Sequence, residues 1–242
     1  KIKGIALGTM LSQVITLLIS VGFWLRYYRR LIKYIDLTTI LDATALKSFF
    51  KVNGDTFIRT FMITLVTTFF TFASSGMGDT ILAVNSLLMQ FFMLFSYFMD
   101  GFAYAGEALT GRYVGAKNNM LLLYMIRRIF FWGFVVSAVS AALYMLFPNQ
   151  ILQVLTDNQE VIEATKSFTF WIVLIPLTGF AAFLWDGIFI GATASKEMRN
   201  AMILSAISFF VCYYSTKSFL GNNALWLSFI RYLSVRGIIQ TL

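Results

Sequence analysis

The sequence predicts an all-α polytopic membrane protein, and three observations predict it. Seven apolar stretches follow one another along the 242 residues, at about 4–27, 55–75, 80–111, 120–147, 161–193, 199–217 and 223–242. A helix of about 20 apolar residues crosses the ~30 Å hydrocarbon core of a bilayer. The segments between these stretches alternate between Lys/Arg-rich and Lys/Arg-poor, the pattern that sets the orientation of membrane helices. The composition agrees: 59% hydrophobic residues, 12% charged residues and a mean hydropathy of +0.77, where soluble domains carry roughly 25% charged residues.

Thirteen of the nineteen Lys/Arg residues fall into three sets. Arg26, Arg29, Arg30, Lys33, Lys47, Lys51 and Arg59 follow the first span; Arg112, Lys117, Arg127 and Arg128 follow the third; Lys196 and Arg199 follow the fifth. Basic segments stay cytoplasmic. The linker 28–52 is therefore expected inside, with Met77, Asn158 and residue 1 outside. The net charge of +8 is accounted for by span ends facing anionic lipid, so the bilayer is the expected partner and nucleic acid is not.

The first stretch, after Lys1-Ile2-Lys3, lacks a small-residue cleavage site and ends in Arg26-Tyr27-Tyr28-Arg29-Arg30, so it reads as a span and not as a signal peptide. An odd number of spans and the missing initiator Met read as part of a longer polypeptide. Residues 28–52 mix Leu31, Ile32, Ile35, Leu37, Ile40, Leu41, Leu46, Phe49 and Phe50 with charged residues, the composition of an interfacial amphipathic linker. They divide the leading span, 1–27, from six closely spaced spans, 53–242, expected as one helical domain. The second span opens with Asn53-Gly54-Asp55, where Asn53 is expected to cap the helix and Asp55 to pair with Arg59.

Carboxylates inside apolar helices are costly and face a bundle interior or a wet cavity. Asp100 lies about twenty residues into the third span, with Tyr104 and Glu107 following on the same face, and Asp186 lies late in the fifth. Such groups exchange protons or hold cations; the alternative is structural pairing with a basic residue or backbone. Pro176 removes a backbone donor and frees the carbonyl of Ile172, and Gly179 follows three residues on. This reads either as a hinge or as a static kink. Thr60, Thr64, Thr67, Thr71 and Ser75 form a hydroxyl stripe along the second span. They either line an aqueous cavity or bond back to the preceding turn, and Asn85 and Gln90 are similar. Gly4/Gly8, Gly111/Gly115 and Gly187/Gly191 have the spacing that lets helices approach closely. The chain has no His, which excludes imidazole catalysis and His-ligated metal. No metal site and no cofactor are expected. Cys212, the single cysteine, reads as a small buried hydrophobe.

Asp100-Gly101-Phe102-Ala103-Tyr104-Ala105-Gly106-Glu107-Ala108, followed by Gly115-Ala116-Lys117-Asn118, resembles the multidrug and toxic compound extrusion (MATE) transporters, in particular their DinF-like branch. Asp186-Gly187-Ile188-Phe189-Ile190-Gly191-Ala192-Thr193 with Lys196-Glu197-Met198-Arg199-Asn200, then Ala83-Val84-Asn85, and Gly221-Asn222-Asn223-Ala224-Leu225-Trp226-Leu227 extend the likeness over nearly the whole chain. The resemblance implies that 53–242 is the C-terminal six-helix lobe of a twelve-helix transporter. Residues 1–27 would then be the last helix of the N-terminal lobe, and 28–52 the cytoplasmic connection. It also implies export of organic cations or other amphiphiles across the bacterial inner membrane in exchange for H⁺ or Na⁺, with the N-terminal lobe as partner. The essential first-helix Asp associated with the DinF-like branch has no place in this chain. Where other branches carry a Glu on the seventh helix, this sequence has the Thr stripe.

Two other classes compete with a cation-coupled exporter. A lipid-linked oligosaccharide flippase of a related branch would present more basic residues within its spans, where Arg231 and Arg236 are the main candidates. An intramembrane enzyme would pair Asp100 with Asp186, but the Tyr-Asp and Gly-x-Gly-Asp signatures of intramembrane aspartyl proteases are missing: Asp100 follows Met99, and Asp186 follows Leu184-Trp185.

Overall fold

A computed structural model describes residues 2–30 and 42–242. Its described residues form α1 (Ile2–Tyr28), α2 (Ala43–Ser75), α3 (Asp79–Gly115), α4 (Asn119–Leu146), α5 (Pro148–Leu155), α6 (Gln159–Lys166), α7 (Thr169–Gly191), α8 (Ser195–Leu220) and α9 (Asn222–Thr241). Among them, α1, α2, α3, α4, α7 and α8 are long and apolar enough to cross a membrane. With 20 residues, α9 also reaches about 30 Å, but Arg231, Arg236, Gln240, Asn222 and Asn223 make it less apolar than the other six. The chain is a multi-pass helical membrane protein.

Two compact units divide the chain, Lys1–Lys51 and Val52–Leu242. In the first, every α1 residue whose side chain is described is exposed. A helix apolar on all sides with no buried residue requires lipid or protein around it. The middle of the expected linker, 31–41, lies outside the described residues. Its C-terminal part, from Ala43, is already α2. Asn53 is consequently ten residues inside a helix and does not cap one.

In the second unit α7 is the central helix, packed against α3, α4, α8 and α9. The sequence permits this because α7 is apolar on nearly every side and carries glycine where backbones meet. A Cβ on Gly187 would lie 2.0 Å from the carbonyl oxygen of Ala103, and one on Gly191 2.3 Å from that of Glu107. This glycine pair is the seam between α7 and α3. By contrast, Gly4, Gly8 and Gly115 have open space around them. Gly133 of α4 similarly receives Leu184, whose Cδ1 would be 2.6 Å from an added Cβ. Pro176 and Gly179 are both buried within α7. The hydroxyl of Thr178 donates to the carbonyl of Leu174 at 2.9 Å, in the turn that follows the Ile172 carbonyl the proline leaves free.

The expected span 161–193 is corrected to Thr169–Gly191. The residues before it form the short helices α5 and α6, because Pro148 starts the first and Asn158 caps the second, accepting from the amides of Glu160 and Val161. Val161 and Ile162 are apolar because they lie on the buried face of α6, not because they continue a span.

Candidate functional site

A cavity of about 380 Å³ opens among α2, α3, α7 and α9. Its apolar wall is aromatic: Phe92 of α3, Phe183 of α7 and Phe229 and Tyr232 of α9. Phe92 and Phe229 meet edge to face with ring centres 5.1 Å apart, and Phe70 of α2 joins Phe229 at 5.5 Å, which fixes the ring positions.

Five charged groups line the cavity: Asp100 and Glu107 from α3, Asp186 from α7, Arg59 from α2 and Arg236 from α9. Asp186 is buried and fully engaged. The Nη2 groups of Arg59 and Arg236 both donate to its Oδ2, and Gln240 Nε2 donates to Oδ1 at 3.0 Å. Buried charges persist where they are paired and hydrogen-bonded, and here two helices, α2 and α9, supply the partners of the α7 carboxylate. The side chain of Arg59 is 18% exposed and that of Arg236 6%, so Arg59 is the partner nearer the open space. Asp100 and Glu107 are half-buried and make no ion pair or hydrogen bond among the described residues. The site therefore holds three carboxylates against two guanidinium groups, with two carboxylates free.

Of the residues singled out by sequence, Asp100, Tyr104, Glu107, Asp186 and Thr67 line this cavity together. Thr67 also lines a smaller one, of about 220 Å³, with Thr71 and Asn85. Thr64 is exposed on α2 and lines neither. The hydroxyls of Thr60, Thr67 and Thr71 each donate to the carbonyl four residues back, at 3.0 to 3.2 Å, so at Thr67 and Thr71 back-bonding and cavity lining coexist. Asn85 is a buried junction: its Nδ2 donates to Ser74 Oγ and Asn222 Oδ1, both at 2.7 Å, and its Oδ1 accepts from Trp226 Nε1 at 2.8 Å. It ties α3 to α2 and α9.

Sequence reasoning missed Gln240 and misassigned Arg59. Asp55 does not pair with Arg59; it is buried against Arg199 and Ser195 of α8, Ser195 Oγ donating to it at 3.1 Å. Arg59 turns to Asp186 instead. The available signal was an Arg only five residues into the expected second span, next to an Arg and a Gln four residues apart, Arg236 and Gln240, in the last span.

These features define a class, a multi-pass helical membrane protein with a charged, aromatic-walled cavity inside its bundle. The chain matches the MatE family over residues 56–215 and belongs to that family. It is 32% identical over 241 residues to DNA damage-inducible protein F of Escherichia coli (strain K12), covering 98% of this chain and 51% of that protein. It is 21% identical over 182 residues to Protein DETOXIFICATION 42 of Arabidopsis thaliana, covering 75% of this chain and 35% of that one. The chain thus spans about half the length of the first relative and about a third of the second.

Proposed function

We propose that this chain is the C-terminal half of a secondary active exporter that exchanges an organic cation or amphiphile for H⁺ or Na⁺ across a bacterial inner membrane. In this reading 53–242 is one six-helix lobe with α9 as its last span, 1–27 ends the other lobe, and 28–52 is the cytoplasmic connection. The rest of the transporter supplies the facing lobe, and alternating access rocks one lobe against the other around a shared site. No catalytic step and no cofactor are involved.

The observation that carries the reading is the charge balance of the cavity. Three carboxylates against two guanidinium groups leave one net negative charge, beside aromatic walls suited to flat cations. One added cation neutralises it, and a second is disfavoured in a low-dielectric bundle. Substrate and coupling ion therefore compete for the same two free carboxylates, Asp100 and Glu107, and that competition is exchange. Tyr104 lies between them on α3, and Thr64, Thr67, Thr71 and Asn85 extend a polar face along α2 and α3. Pro176 and Gly179 give α7 a place to bend as the lobe moves. The oligosaccharide flippase alternative is less well supported, because both cavity guanidinium groups are committed to Asp186.

Dye efflux by the whole transporter in proteoliposomes tests the reading. The Asp100→Asn variant is expected to lose ion-driven efflux at unchanged protein level; full efflux would remove Asp100 from the mechanism. Residues 1–242 alone are expected to insert without protecting cells from cationic dyes. In the full transporter, the Met77→Cys and Asn158→Cys variants are expected to label from outside, and labelling from the cytoplasm alone would reverse the orientation.

A further inference from the structure

Among the described residues, Arg59 is the one charged group that α2 contributes to the cavity. That helix meets the rest of its unit differently from the others. Where α3 and α7 join through backbone approach at glycine, α2 makes no comparably close backbone packing. It is held by side chains: Phe70 against Trp226 and Phe229, Ser74 to Asn85, Asp55 to Arg199, and Arg59 to Asp186. Asp186 has two further donors on α9, Arg236 and Gln240, so it remains satisfied when Arg59 leaves. Arg236 is more deeply buried than Arg59, and its guanidinium lies over the Phe183 ring at 5.8 Å. Arg59 is therefore the exchangeable cation of the cluster, and Arg236 the fixed one.

Building on the exporter reading, we propose that Arg59 is a resident counter-cation, a positioning residue that occupies the carboxylate cluster and limits how tightly the cavity holds a transported cation. A cavity with Asp100, Glu107 and Asp186 and only one guanidinium would carry two net negative charges. Such a cavity binds a cation strongly and releases it slowly, because tighter binding is mostly expressed as a lower dissociation rate. With Arg59 present, the incoming cation meets a single excess charge. Its mounting on the helix with the least backbone packing lets Arg59 shift within the cavity as the occupant changes.

The test measures equilibrium binding and proteoliposome transport of tetraphenylphosphonium by the full transporter. The Arg59→Gln variant is expected to bind at least tenfold tighter, from one removed charge several ångströms away at an effective dielectric near 20. It is also expected to transport with both KM and kcat lowered, and the Arg59→Lys variant to restore both. A merely structural role would lower the amount of folded protein without tightening binding. To hold the fold constant, the Arg59→Cys variant in a Cys212→Ser background is modified with a cationic or a neutral methanethiosulfonate reagent. The cationic adduct is expected to bind several-fold more weakly than the neutral one. Equal binding by the two adducts, or unchanged or weaker binding by the Arg59→Gln variant, would overturn the role of Arg59 alone. Failure of the unmodified transporter to bind the probe would remove the exporter reading as well.

Discussion

Helices α7 and α2 both run through apolar sequence and both deliver a charge to the same cavity, yet they are held in place by different physics. Half of the most apolar 18 residues of α7 are buried, against 11% of those of α2. In α7 glycine removes the side chains that would separate two backbones, and close contact follows along the whole of Gly187 to Gly191. In α2 the side chains are large or polar, and contact runs through Phe69 to the aromatic rings of α8, Phe70 to those of α9, buried Val66 and three polar links. Since lipid is as apolar as the helices, backbone approach and buried polar pairs have to supply the association. Backbone approach at glycine holds α7, whereas side-chain packing and polar links hold α2.

The largest effect is expected where the two helices share a charge. The Asp186→Ala variant leaves the buried guanidinium of Arg236 and the half-buried one of Arg59 without their carboxylate and is expected to cost about 4 kcal/mol, read as a lowered Tm in detergent. Retention of the native Tm would mean that the cluster is hydrated and the α7–α2 link weak. Next comes the seam itself. The Gly187→Ala variant drives a methyl group into the Ala103 carbonyl and is expected to cost about 3 kcal/mol. The same change at Gly54 of α2, which has open space around it, is expected to be neutral or slightly stabilising. Equal effects at the two glycines would erase the distinction between the helices.

The fold was legible where a helix meets lipid on several sides, because hydropathy reports that environment directly. It was less legible where protein replaces lipid. The expected span 161–193 absorbed Val161 and Ile162, which are apolar because α6 buries them inside the protein. Residues 43–54 look like linker in sequence, but Lys47, Lys51 and Asn53 interrupt hydropathy without interrupting the helix. At the site, the carboxylates were visible because a charge in an apolar run is conspicuous. Their partners were not, because i,i+4 spacing suggested Asp55 with Arg59 whereas each found its partner more than 120 residues away. Long-range pairing leaves no local trace in a single sequence.

Smaller effects refine the picture of α2. The Asn85→Ala variant removes the link among Ser74, Asn222 and Trp226 and is expected to cost about 2 kcal/mol. A cost below about 0.5 kcal/mol in the same denaturation experiment would show that water replaces the amide. The Thr71→Val variant, which removes a hydroxyl bonded back to Thr67 on an exposed face, is expected to change stability by no more than about 0.5 kcal/mol.

On the proposed exporter reading, the free carboxylates of α3, and not the engaged carboxylate of α7, hold the transported cation. Equilibrium binding of tetraphenylphosphonium to the full transporter and its Asp100→Asn, Glu107→Gln double variant tests it most directly, with near-ultraviolet circular dichroism of the tryptophans confirming the fold. At least tenfold weaker binding with an unchanged spectrum is expected. Unchanged affinity in a correctly folded double variant would contradict it.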